Sequence, residues 1–252
     1  MLLLECNDLS FSYHTHTGEI SVIKSVSFQI HKGEFVSIVG PSGCGKSTLL
    51  GLLTGILSPE EGSIKIHYKQ KGTQSFYGYM LQQDHLLEWY DIWDNVCLGP
   101  KINHCLDSAC KDYLHTLLTR YQLDSFAHKK PSQLSGGMRQ RAALIRTLAM
   151  KPELLYLDEP FSALDYQNRL NAADDIGKII QKEGKTAVLV THDIGEAISL
   201  SSRVLVLSKR PATIVKEFVL PFQNTGLSSL EIRNLPEFST YFNLIWKELN
   251  TT

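Results

Sequence analysis

The chain begins with alternating apolar and polar positions. Residues 11–13 and 22–30 are strand candidates with alternation, Leu2 to Leu4 is a short apolar strand candidate before them, and Gly18 lies in a predicted turn. This pattern predicts an antiparallel β region. Phe35-Val36-Ser37-Ile38-Val39 is nearly continuous in apolar character, as a strand buried on both faces would be. A glycine-rich loop follows at once, and residues 48–57 read as a helix. Residues 62–68 and 77–81 are further strand candidates.

The period then lengthens. Between residues 92 and 123, Tyr113, Leu114, Leu117, Leu118 and Tyr121 share one helical face, which predicts an inserted helical lobe. Residues 139–150 read as another helix. Leu154-Leu155-Tyr156-Leu157 and Ala187-Val188-Leu189-Val190 are buried strands, each followed by polar residues at the strand end, where α/β sheets place their chemistry. Residues 203–207 and 213–219 read as a closing pair of strands, and 235–249 as an amphipathic helix. The pattern predicts one α/β domain over 1–252. Its core and β subdomain take residues 1–82 and 150–220, the helical lobe about 83–149, and a helical tail 221–252.

Composition narrows the class. Apolar residues make up 43% and charged residues 20% of the 252, as in a soluble globular protein. A net charge of −1 gives no sign of a nucleic-acid-binding surface. The longest apolar run, residues 49–57, is far short of the roughly 20 residues of a membrane span. No basic region precedes the first apolar run, so residues 1–8 read as a first strand rather than a signal peptide. Five cysteines, an odd number without a C-x-x-C pair, suit free thiols in a reducing cytosol. His104, Cys105, Cys110 and His115 are close in sequence but have no zinc-site spacing, and read as helical surface.

Gly40-Pro41-Ser42-Gly43-Cys44-Gly45-Lys46-Ser47 matches the phosphate-loop pattern G-x-x-x-x-G-K-[ST], with Thr48 after it. Glycines let backbone N–H groups wrap phosphates, and the following helix start favours negative charge. Lys46 is expected to reach the β- and γ-phosphates, and the Ser47 hydroxyl to bind Mg²⁺. Cys44, beside a helix N-terminus, is expected to favour the thiolate, so that alkylation inhibits and bound ATP protects. The strand at 154–157 ends in Asp158 and Glu159, placed to hold Mg²⁺ and to polarise an attacking water. Ser135, Gly136 and Gly137 precede a helix expected to begin near Met138. Ser135 is a good N-cap, and the glycines permit close approach of an anion. By itself such a segment reads as a plain cap.

The order of phosphate loop, glutamine loop, Leu134-Ser135-Gly136-Gly137, Asp-Glu strand end and Thr191-His192 resembles the ATP-binding-cassette (ABC) ATPases over nearly the whole chain. The resemblance implies a P-loop NTPase core with an N-terminal antiparallel β subdomain and an inserted α-helical lobe. It implies ATP and Mg²⁺ as cofactors, and two copies of the chain, or this chain and a close paralogue, meeting head to tail. Each ATP would then lie between residues 40–48 of one copy and 135–137 of the other. Gln82 corresponds to the glutamine that touches Mg²⁺, His192 to the γ-phosphate switch histidine, and Tyr13 to the aromatic residue stacking on adenine. Ser162-Ala163-Leu164-Asp165 resembles the D-loop. Catalytic roles fall to Glu159, His192 and Lys46.

Leu86-Leu87-Glu88-Trp89, Asp94-Asn95-Val96, Met138-Arg139-Gln140-Arg141 and Leu207-Ser208-Lys209-Arg210-Pro211 resemble the ATPases of nitrate, sulfonate and taurine-type importers, including relatives that carry thiamine precursors. That subgroup usually has Pro at Glu88 and often an acid at Gly195, while many members of the wider family have Gln at Met138. The resemblance implies a peripheral subunit on the cytoplasmic face of the membrane. Its partners would be a multi-span permease and, indirectly, an extracytoplasmic solute-binding protein, with no nucleic acid. Residues 84–89 are expected to meet the permease through Leu86, Leu87 and Trp89; burial of these side chains in the chain's own lobe is the competing reading. A soluble accessory ATPase, such as one serving iron–sulfur assembly, is the non-transport alternative. A chromosome-type ATPase is disfavoured because only 52 residues separate Gln82 from Ser135, without heptads.

Overall fold

The computed structural model describes residues 1–16, 18–68, 75–222 and 226–251. Residues 17, 69–74, 223–225 and 252, part of the predicted core and tail, lie outside the described residues. In chain order the elements are β1 (Leu2–Thr15), β2 (Gly18–His31), β3 (Phe35–Val39), α1 (Lys46–Leu53), β4 (Glu61–Ile66), β5 (Tyr77–Met80), α2 (Ile92–Ile102) and α3 (Ser108–Arg120). There follow α4 (Gly136–Leu148), β6 (Leu154–Asp158), α5 (Tyr166–Lys182), β7 (Thr186–Thr191), α6 (Ile194–Leu200), β8 (Arg203–Leu207), β9 (Ile214–Val219), α7 (Ser229–Ile232) and α8 (Pro236–Thr251). Two compact units result: Met1–Tyr68 with Thr186–Thr252, and Lys69–Lys185.

In the first unit, β1 pairs antiparallel with β2 on one side and β4 on the other. The stretches expected as separate strands at 2–4 and 11–13 are one strand. Its register shifts between Cys6 and Leu9 and again before Phe11, and Asp8 there takes a φ of 49°. Such bulges interrupt the period of two and so disguise a single strand as two. Gly62 of β4 has a φ of 84°, and a Cβ there would lie 2.3 Å from the Asn7 carbonyl oxygen. Only glycine admits that approach of β4 to β1.

The second sheet of this unit has β3 between β7 and β8, both parallel to it, with β9 antiparallel on β8. Four of the five β3 residues are buried, as its unbroken apolar run predicts. Val39, Val204 and Val206 share a core with Ile194 and Ile198 of α6, Phe218 of β9, Ile232 of α7 and Ile245 of α8. The predicted tail helix therefore has a docked face. Ile245 is fully buried, and burying such a side chain contributes about 1.5–3 kcal/mol.

In the second unit β5 and β6 are parallel neighbours. Around them, α2 to α5 bury stripes such as Leu114, Leu117 and Leu118, or Ile176, Ile179 and Ile180. Each helix is capped by a side chain that accepts a first-turn N–H: Asp91 from Asp94, Asp107 from Cys110, Ser135 from Met138 and Asp165 from Asn168. Such caps contribute about 1 kcal/mol each. Among the described residues, no helix is long and apolar enough to cross a membrane.

Candidate nucleotide site

Each unit carries one set of the predicted residues. In the first, β3 delivers the phosphate loop directly. Val39 pairs with Thr191 in parallel register, so Gly40 and His192 leave neighbouring strands at the same carboxyl end. Gly43 and Gly45 take φ angles of 73° and 120°, which bend the loop back over the start of α1. A Cβ on Gly45 would also meet Val22 at 2.6 Å. Gly45 is the N-cap of α1 and supplies no side-chain acceptor to its first turn.

The Lys46 ammonium donates to the carbonyls of Gly40 (3.0 Å) and Pro41 (3.1 Å). Its charge is thus kept inside the loop's concavity. Tyr13 of β1 is 43% exposed; its hydroxyl lies 3.4 Å from Thr48 Oγ1, and Phe11 packs edge-on against its ring. An exposed aromatic face beside a phosphate loop is a platform for a base. The expectation for Cys44 is corrected. Its side chain is 2% exposed, and burial raises the thiol pKa against the lowering effects of Lys46 and Arg210. Desolvation outweighs the helix end, and the thiol is neutral and shielded rather than reactive.

In the second unit, β6 ends at buried Asp158, and Tyr79 of β5 donates its hydroxyl to Asp158 Oδ2 at 3.1 Å. Sequence reading missed Tyr79; its signal is the parallel register that sets Tyr79 beside Tyr156. Glu159 takes a φ of 45°, a left-handed conformation that costs a non-glycine residue about 1 kcal/mol or more. Ser162 stabilises the turn: its N–H (3.1 Å) and hydroxyl (3.0 Å) both donate to the Glu159 carbonyl. Gln82 donates its amide to Ser162 Oγ at 3.2 Å. One serine therefore joins the glutamine loop to the turn that presents Glu159.

The Ser135–Gly137 segment begins α4 two residues earlier than expected. Ser135 Oγ accepts the Met138 N–H, which places Gly136 and Gly137 in the first turn. A Cβ on Gly136 would lie 2.5 Å from Leu164 Cδ2, whereas Gly137 has open space around it. Arg139 and Arg146 of α4 reach back to the segment after Gln82. Arg139 pairs with the Asp84 carboxylate at 3.0 Å, and Arg146 donates to the Asp84 and His85 carbonyls. Asn95, fully buried, accepts from the Leu87 N–H and donates to the Leu87 and Asp91 carbonyls. Leu86 is 6% exposed and packs within the chain, so it offers no docking surface, while Trp89 is 69% exposed.

Of the three departures from the family pattern, Gly195 lies beside flexible side-chain ends: a Cβ there would lie 2.8 Å from Arg233 Nη1 and 3.0 Å from Asp193 Oδ1, both able to move aside. Nothing in the structure explains Gly195, Glu88 or Met138.

Comparison with known proteins shows the family of the chain. The ABC transporter family model matches residues 23–162. The chain is 42% identical, over 100% of its length and 97% of the relative's, to the uncharacterised ABC transporter ATP-binding protein YtlC of Bacillus subtilis. It is 36% identical, over 96% of its length and 94% of the relative's, to the taurine import ATP-binding protein TauB of Roseobacter denitrificans. The dimeric post-hydrolysis ATP-binding cassette MJ0796, bound to ADP and phosphate, superposes with a TM-score of 0.71 at 30% identity, covering 86% of this chain and 99% of that one. The chain belongs to the ABC transporter family and is one of its ATP-hydrolysing cassettes.

Proposed function

We propose that the chain is the ATPase subunit of an importer for a small solute of the nitrate, sulfonate, taurine or thiamine-precursor kind. The observation that carries this reading is the near full-length similarity to a taurine import ATPase, together with the intact set Lys46, Asp158, Glu159 and His192. The accessory-ATPase alternative is not favoured, because the relatives are transport proteins.

Each residue has a role set by its chemistry. The amides of residues 40–48 and Lys46 bind the β- and γ-phosphate oxygens, and Tyr13 stacks on adenine. Ser47, Asp158 and Gln82 are hard oxygen donors, the kind that Mg²⁺ takes. The Gln82 amide nitrogen is engaged by Ser162, which leaves its oxygen as the ligand atom. Bound Mg²⁺ would neutralise charge on the phosphates. Glu159 orients the water and takes its proton, and His192 contacts the γ-phosphate. Ser135, Gly136 and Gly137 offer a helix start to the γ-phosphate of ATP held by a second copy. Catalysis of this type is mostly positioning and electrostatics.

Closure of two copies on ATP, and reopening after hydrolysis, would drive a multi-span permease at the cytoplasmic face of the membrane, with a solute-binding protein delivering the cargo. Trp89 is proposed as the exposed apolar contact with the permease. Co-purification with a hydrophobic membrane subunit encoded nearby tests the importer reading. A chain that assembles only with soluble partners, and whose loss leaves uptake of all four solute kinds intact, overturns it.

A further inference from the structure

The turn between β8 and β9 carries Ser208-Lys209-Arg210-Pro211, a motif that the roles above leave unused. Three sets of contacts fix this turn. Ser208 closes it: its N–H donates to the Thr213 carbonyl at 3.0 Å, and its hydroxyl accepts the Thr213 N–H at 3.0 Å. Ala212 ties it to β2: its N–H donates to the Val22 carbonyl, and its carbonyl accepts from Lys24. Val22 is the same residue whose side chain crowds Gly45 of the phosphate loop. From this braced turn, Arg210 Nη2 donates to the Gly43 carbonyl at 2.5 Å.

That carbonyl belongs to the Gly43–Cys44 peptide, at the crown of the phosphate loop. A cation donating to a peptide oxygen draws electron density from the group and makes its N–H a stronger donor. The N–H concerned is that of Cys44, which here donates to the Pro41 carbonyl at 3.2 Å. The Arg210 charge reaches the loop interior too, since it acts to lower the Cys44 thiol pKa.

We propose that Arg210 is a positioning residue for nucleotide binding. It fixes the crown of the phosphate loop through the Gly43 carbonyl and, through the Cys44 N–H, strengthens the Pro41–Cys44 turn that shapes the loop. The proposal rests on reading residues 40–47 as the phosphate loop. Because Ser208 and Ala212 anchor the turn independently, removing the guanidinium leaves the turn in place.

The test compares Arg210→Ala, Arg210→Lys and Lys46→Ala in the full chain. Affinity for a fluorescent ATP analogue, KM and kcat for ATP, and melting temperature without nucleotide are measured. Arg210 is solvent-exposed, so the effect is modest: Arg210→Ala weakens binding and raises KM about three- to tenfold, with a smaller change in kcat. The nucleotide-free melting temperature stays at the parent value, and Arg210→Lys recovers part of the affinity. Parent-like affinity in Arg210→Ala, with binding lost in Lys46→Ala, overturns the proposal alone. A lowered melting temperature with affinity kept also overturns it. Parent-like binding in Lys46→Ala overturns the phosphate-loop reading and the role of Arg210 together.

Discussion

Glu159 and Cys44 are the residues at which local environment decides chemistry. Glu159 stands in a left-handed turn that Ser162 holds through the Glu159 backbone carbonyl rather than through its carboxylate. Glu159→Gln keeps the shape and removes the basicity, so ATP binding should persist while hydrolysis falls by about 10²-fold or more. Steady-state phosphate release beside nucleotide binding checks this, and near-normal turnover would remove Glu159 from its role. Cys44 is the opposite case: its motif position argues for a reactive thiolate, but burial keeps it protonated. Alkylation of Cys44 in the native chain should be slower than that of the half-exposed Cys105, as mass spectrometry of a time course would show. The motif was legible because phosphate binding depends on backbone and residue type. The reactivity was not, because it depends on how much protein lies over the sulfur.

At the scale of elements, a strand's junctions matter as much as its residues. Gly62→Ala would place a methyl group against the backbone of Asn7 and Asp8 and require a φ of 84° of a residue with a Cβ. It should cost about 3 kcal/mol, read as a shift in the denaturation midpoint. Cys6 of β1 and Cys97 of α2 link element burial to pH. Burial raises Cys6 from 9.0 to about 12 and Cys97 from 9.0 to about 11. The folded pKa values exceed the unfolded ones, so the folded state keeps protons that the unfolded chain releases. The stability they contribute is whole below pH 9 and is lost as pH rises through about 11 and about 12. Thermal melts from pH 8 to 11 should show this decline, and Cys6→Ala with Cys97→Ala should flatten it. The elements read best from sequence were β3 and β8, whose continuous apolar runs have sharp ends. The pattern does not mark helix α5, the longest among the described residues, because Ala172, Ala173 and Asp174 dilute its apolar stripe. Its start was marked only by the cap pair Asp165 and Asn168.

For the molecule as a whole, order and spacing of motifs carried the family where no single motif did. Gly136 illustrates what only coordinates add, since its missing side chain accommodates Leu164 while Gly137 faces open space. The same segment, a plain helix cap in isolation, becomes under the proposed function half of a site completed by a second copy. That claim predicts association that depends on ATP and on Ser135. The direct measurement is solution mass by light scattering for Glu159→Gln with MgATP, and for the same chain also carrying Ser135→Arg. The account predicts a shift from 28.4 kDa to twice that value for Glu159→Gln, and no shift when Ser135→Arg is added. A chain that stays at 28.4 kDa with ATP bound, or that pairs equally well with Ser135→Arg, would contradict it.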